Sequence, residues 1–155
     1  PDYKIVIAGP DEGQYLRRLL SLRKKYHIED TVIFPGLVTG EIKQALLQKA
    51  SIFLLTSFSE GMPGAVIEAM AYGLPVIITL GCHLPIIDQA KAGMIVRPNI
   101  HEVIKAVRFL LENAEARQQM GINAKNLVKT EFDEHKIAQD FINFCESVIN
   151  KNKKN

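Results

Sequence analysis

Five short runs of apolar, largely β-branched residues punctuate the chain, with amphipathic stretches between them. The runs are KIVIA (4–8), TVIFPG (31–36), SIFLLTS (51–57), PVIIT (75–79) and GMIVRP (93–98). Their length and their Gly, Pro or polar boundaries predict strands over 4–8, 31–34, 52–55, 75–79 and 93–96, the second stopped by Pro35-Gly36. Between them the apolar positions recur at helical spacing, as with Leu16, Leu19, Leu20 and Leu22 among Arg17, Arg18, Arg23 and Lys24. Helices are predicted over 15–26, 41–49, 63–72 (closed by Gly73 in the left-handed conformation), 86–90, 100–113, 115–130 and 134–150. Strands that are continuous apolar runs alternating with helices predict an α/β fold: one Rossmann-like parallel sheet with helices on both faces. No internal repeat and no domain boundary interrupt the pattern.

Composition adds little. A chain of 155 residues, 47% hydrophobic and 23% charged, suits one soluble globular domain. Three lysines of the last five residues, Lys151, Lys153 and Lys154, contribute +3 to a net charge of +2, so the rest of the chain carries no positive excess suited to nucleic acid. Residues 151–155 read as a disordered polar tail. Cys82 and Cys145 form no CxxC pair and suggest incidental or buried thiols in a reducing, cytoplasmic setting. No run approaches a membrane helix, and no signal peptide opens the chain. The first residue is Pro1 and a core strand begins at Lys4, which suggests that an earlier part of the domain precedes it.

The densest stretch is SEGMPGAVIEAMAYGLPVI (59–77). It follows a strand, where open α/β sheets bind ligands. Pro63 suits the first helical position. The N–H groups of Gly61, Met62, Gly64 and Ala65 are then expected as free donors for an anion such as phosphate. Glu68, four residues after Gly64 and three after Ala65, shares their helix face and is placed to accept hydrogen bonds from vicinal hydroxyls. Glu60 precedes the helix and points toward whatever the phosphate carries. Two explanations stand for the pair: a cradle for a nucleoside diphosphate bearing a polar group, or glutamates favoured by the helix dipole alone. His27, His83, His101 and His135 show no metal-ligand spacing. The glycine fingerprint of dinucleotide enzymes is missing after the first run.

SFSEGMPGAVIEAMAYGLPVI resembles the donor-site signature of the group 1 (family 4) retaining glycosyltransferases. KIVIAGPDEG, DTVIFPGLV and KAGMIVRPN resemble further segments of that family. The resemblance implies the C-terminal, donor-binding half of a GT-B fold over residues 1–150, with the N-terminal acceptor domain and the first strand–helix of this domain lying upstream. It implies a nucleotide-diphosphate sugar as donor, no cofactor and no obligatory metal. It also implies retaining, hexosyltransferase-type transfer to a glycan or lipid-linked acceptor in cell-envelope polysaccharide or glycoconjugate synthesis. Glu60 would be the catalytic carboxylate, contacting the transferred sugar in a positioning and electrostatic role, and Glu68 would hold the ribose. The Gly61–Ala65 backbone would meet sugar and diphosphate, Gly36-Leu37-Val38 would border the base, and Gly9-Pro10 would line the cleft floor. The full-length protein would be cytoplasmic, with peripheral association at the inner membrane face as an option. This stretch alone would be inactive, because the family's diphosphate-neutralising Arg and Lys lie upstream of residue 1. Ile86 stands where many relatives carry Glu, which leaves the 81–86 loop without an assigned role. The alternatives are a sugar-nucleotide epimerase on the same fold and a nucleotide-sugar-binding module without transfer. The apolar residues of the final helices, among them Phe109, Leu110, Phe141, Ile142 and Ile149, are expected to pack, with the last helix crossing to the upstream domain.

Overall fold

The computed structural model describes residues 3–11 and 13–152. The elements run β1 (Ile5–Ala8), α1 (Tyr15–Lys25), β2 (Val32–Gly36), α2 (Gly40–Lys49), β3 (Phe53–Leu55), α3 (Gly64–Ala71), β4 (Val76–Thr79), a 3-10 turn (Leu80–Cys82), α4 (Ile86–Gln89), β5 (Gly93–Val96), α5 (Ile100–Glu112), α6 (Ala114–Glu131) and α7 (Glu134–Asn152). Every strand and helix anticipated from the sequence is present, and every strand pairing is parallel. The strands form a pair, β1-β2, and a separate trio, β3-β4-β5, in two compact units that meet in sequence at Leu46 and Leu47. Apolar runs announce strands but not which ladders close, and β2 and β3 share none.

In the first unit, Ile5 pairs with Val32 and Val6 with Ile33, and the register then slips so that Ala8 meets Gly36. The slip has a local cause. Pro35 has no N–H for the ladder, and such residues sit at strand irregularities. The strand therefore does not stop before Pro35, as the sequence suggests, but passes through it to Gly36. All four residues of β1 are exposed, α1 buries none of its residues, and Val32 is the unit's one buried residue among those described.

The second unit is built around β4, whose four residues are all buried. Side chains alternate across a strand, and the two faces of β4 feed different clusters. Val76 and Ile78 pack with Val66, Ala69 and Met70 of α3 and Ala124 and Leu127 of α6. Ile77 packs with Val96 of β5 and Ala106 and Leu110 of α5. This is the two-sided cover that an all-apolar strand requires.

Helix α3 ends as its sequence dictates. Gly73 has φ 77°, its N–H donates to Met70 O at 2.8 Å, and Leu74 N donates to Ala69 O at 3.2 Å. These are the two bonds of a Schellman cap. The final helices are packed only in part. Leu110 is fully buried, but Phe109, Phe141, Ile142 and Ile149 are exposed, so α7 carries an apolar face instead of a packed one. It runs on through Lys151 to Asn152; the rest of the expected tail lies outside the described residues. Cys82 is buried, Cys145 is half-buried, and both are free thiols.

Candidate active site

Phe53 to Leu55 pair in register with Val76 to Ile78 in the same direction. The chain leaving β3 and the chain leaving β4 therefore emerge at one carboxyl edge of this sheet, where α/β folds present their sites. Of the hydrogen bonds here, one closes the β3 exit on itself and two join it to the β4 exit. Ser57 Oγ donates to Glu60 Oε1 at 2.5 Å, Glu60 N donates to Gly81 O at 2.8 Å, and Thr79 Oγ1 donates to Ser57 O. Thr79 is the buried polar residue among those described, with no exposed surface. Glu60 is half-buried. One of its oxygens is tied to Ser57, and its main chain is tied to Gly81.

The entry to α3 corrects one detail of the sequence reading. Pro63 precedes the helix instead of occupying its first position, with φ −77° and ψ 73°. Those angles define an inverse γ-turn, and Gly64 N closes it onto Met62 O at 2.8 Å. The Gly64 N–H is thus spent and is not a free donor. Among the described residues, no acceptor meets the N–H groups of Gly61, Met62 or Ala65, so three of the four anticipated donors remain. Gly61, Met62, Gly64 and Ala65 are exposed. Added Cβ atoms at Gly61 and Gly64 would meet nothing within 4 Å, so a ligand has open access to this backbone. Glu68 lies one helical turn beyond Gly64 on the same face of α3 and is half-buried. The segment thus presents unpaired amide hydrogens at a helix start, where partial positive charge collects, with a carboxylate on either side.

In the first unit the structure brings Gly9 and Gly36 together, with Gly9 N donating to Gly36 O at 2.9 Å. Gly9 follows β1 and Gly36 is the last residue of the parallel strand β2, with Pro10, Leu37 and Val38 directly after them; Leu37 is 68% exposed. In the second unit His83 adopts the left-handed conformation, φ 49°, and is exposed, whereas Ile86 is half-buried at the start of α4. No group of three or more His, Cys, Asp or Glu side chains is placed to hold a metal ion among the described residues.

What the sequence did not single out is the role of Thr79 and Gly81 in holding the Glu60 loop. The signal was slight: a lone hydroxyl closing the apolar run PVIIT, two residues before a glycine. A Cβ at Gly81 would lie 2.2 Å from Phe58 O and 2.8 Å from Ser57 O, so the two chains approach to a distance that only glycine permits.

Residues 1–127 match the family model described as glycosyl transferases group 1. A protein of Salmonella typhimurium named a putative colanic acid biosynthesis glycosyltransferase, WcaL, is 28% identical over 94% of this chain and 37% of its own length. Its counterpart in Escherichia coli is 38% identical over 63% of this chain and 25% of its own. The present chain thus spans well under half the length of these relatives. Among solved structures, Anabaena HepE in complex with UDP superposes with a TM-score of 0.86 at 20% identity, over 95% of this chain and 42% of that one. A likeness at that identity fixes the fold, the α/β arrangement of GT-B glycosyltransferases. The chain belongs to the group 1 glycosyl transferases.

Proposed function

We propose that the segment from Glu60 to Glu68 binds a nucleoside-diphosphate sugar and presents its sugar for transfer with retention of configuration. The observation that carries this is the run of unpaired N–H groups at Gly61, Met62 and Ala65 between two carboxylates. The diphosphate takes those donors and the start of α3, where backbone N–H groups and the helix dipole favour an anion. Glu68 accepts from the ribose hydroxyls. Glu60 accepts from a hydroxyl of the transferred sugar and fixes its orientation. As the glycosidic bond breaks, negative charge gathers on the departing diphosphate and positive charge on the sugar. Donors already aimed at the diphosphate stabilise that state without rearranging, and the Glu60 carboxylate favours the positive centre electrostatically. The donor is the one small molecule this scheme requires.

Gly9-Pro10 and Gly36-Leu37-Val38 are assigned to the cleft floor and the border of the base. The HepE structure with UDP, and another of the same protein with UDP-glucose, support a nucleotide sugar as the ligand class. The relatives named for colanic acid biosynthesis support a glycan or lipid-linked acceptor in cell-envelope polysaccharide synthesis. We assign acceptor contacts to the portion of such proteins that this chain does not span, acting in the cytoplasm or at the inner membrane face.

The test is a thermal-shift panel of UDP, GDP and ADP, each free and as the glucose conjugate, on the full-length protein. Alongside it, nucleoside diphosphate release is followed with a membrane extract as the acceptor source. One base should stabilise the fold in both forms, and its sugar conjugate should be turned over. Absence of stabilisation by every nucleotide would overturn the proposal.

A further inference from the structure

We infer that Thr79 is a positioning residue for Glu60, acting through a clamp that its hydroxyl and the Gly81 carbonyl close on the loop after β3. This deepens the proposed function and rests on it for the role of Glu60. Thr79 ends a strand whose other residues are Val76, Ile77 and Ile78, all without exposed surface, and a hydroxyl in such a place is costly unless it is paired. It is paired, and its acceptor is Ser57 O, the carbonyl of the residue whose own side chain grips Glu60 Oε1 at 2.5 Å. Two residues after Thr79, Gly81 O receives Glu60 N at 2.8 Å. The Ser57–Glu60 loop is thus held at its first carbonyl by Thr79, at its last N–H by Gly81, and across its mouth by its own serine. The neighbouring thiol of Cys82 lies 3.8 Å from Leu55 O and extends the same junction inward.

The bland alternative is that Thr79 merely satisfies a buried carbonyl. Geometry separates the two roles. The loop is short and exposed at Phe58 and Ser59, and it is held by these bonds and by the close backbone approach at Gly81. The fixed direction of the Glu60 carboxylate therefore depends on these bonds. A carboxylate that must meet one hydroxyl of a sugar tolerates little displacement, since misplacement by about 1 Å costs on the order of a hundredfold in rate.

The experiment is a double-mutant cycle on the full-length protein, with UDP-, GDP- and ADP-glucose as donors and a membrane extract as acceptor source. Thr79→Val keeps the shape and removes the hydroxyl. It should lower kcat by roughly ten- to a hundredfold while leaving affinity for the free nucleoside diphosphate unchanged, and Thr79→Ser should restore most of the rate. In a Glu60→Ala background the same substitution should cost nothing further, because the two residues act as one unit. Ser57→Ala serves as the second variant if Thr79→Val does not fold, with the same expected pattern. If Glu60→Ala lowers kcat and neither clamp variant does, or if their losses add, the inference is overturned and the role of Glu60 survives. If Glu60→Ala leaves turnover untouched, or no donor is turned over, the proposed function fails and takes the inference with it.

Discussion

Gly121 of α6 lies directly against the carbonyl of Gly73: a Cβ added to Gly121 would stand 2.3 Å from Gly73 O. This close approach joins α6 to the cap of α3, the helix that carries Glu68. Gly121→Ala has no flexible side chain to push aside, only backbone, so one of the two helices must shift. Overpacking of this kind costs about 1–3 kcal/mol. Denaturant unfolding should show that loss for Gly121→Ala. Ala116→Gly on the same helix, away from the contact, should cost only the helix-propensity difference of about 1 kcal/mol.

The two units differ in what holds them. Ile77 is fully buried, whereas Ile5 is 53% exposed. In this chain Ile77→Ala should destabilise by about 2–5 kcal/mol and Ile5→Ala by well under half of that. Hydrogen exchange gives the same contrast without mutation. Amides of β4 should open only with global unfolding and those of β1 far more readily. Equal protection of the two strands would show that β1 has cover this structure does not give it.

Asn99 caps α5, its Oδ1 accepting from His101 N at 2.8 Å. Asn99→Ala should therefore cost about 1 kcal/mol. Asn99→Asp should keep the bond. Thermal unfolding of the two variants checks both.

Local rules carried the sequence reading far, and long-range pairing marked where it stopped. Gly73 could be placed as a left-handed cap because a single residue type answers a single backbone demand. PVIIT was legible as a buried strand because nothing polar interrupts it before Thr79. Pro63 was misplaced by one position, since a proline suits both the first helical residue and an inverse γ-turn, and only the Gly64 N–H distinguishes them. Which strands pair was not legible, because a ladder such as β3-β4 forms between residues more than 20 apart in sequence. The clamp on Glu60 was hidden for the same reason. Thr79 and Ser57 stand 22 residues apart, and no periodicity links a hydroxyl to a carbonyl at that distance. The resemblance pointed to Glu60 and Glu68 as candidate carboxylates but not to Thr79 or Gly81, whose bonds to the Glu60 loop are long-range.

The 155-residue chain alone should bind nucleoside diphosphate weakly and transfer nothing. Helix-end electrostatics at an exposed site contribute only about 0.3–1 kcal/mol. Holding an acceptor against the donor is worth about 7–11 kcal/mol when complete, and we place that acceptor outside this chain. Calorimetry with UDP, GDP and ADP beside a turnover assay checks both statements. Turnover near the rate of the full-length protein would mean that the acceptor site lies within these 155 residues.

The central claim is that Glu68 and Glu60 divide the donor between them, one holding the nucleotide and the other the sugar. Its most direct test is a calorimetric titration of the full-length protein and its Glu68→Ala and Glu60→Ala variants. Each is titrated with the free nucleoside diphosphate and with its sugar conjugate. Loss of a hydrogen bond to a charged group costs about 1.5–3 kcal/mol, or roughly ten- to a hundredfold. Glu68→Ala should weaken both ligands by that factor, because both contain the ribose. Glu60→Ala should leave the free nucleotide unchanged and weaken only the conjugate. Equal losses of free-nucleotide affinity in the two variants would contradict the account.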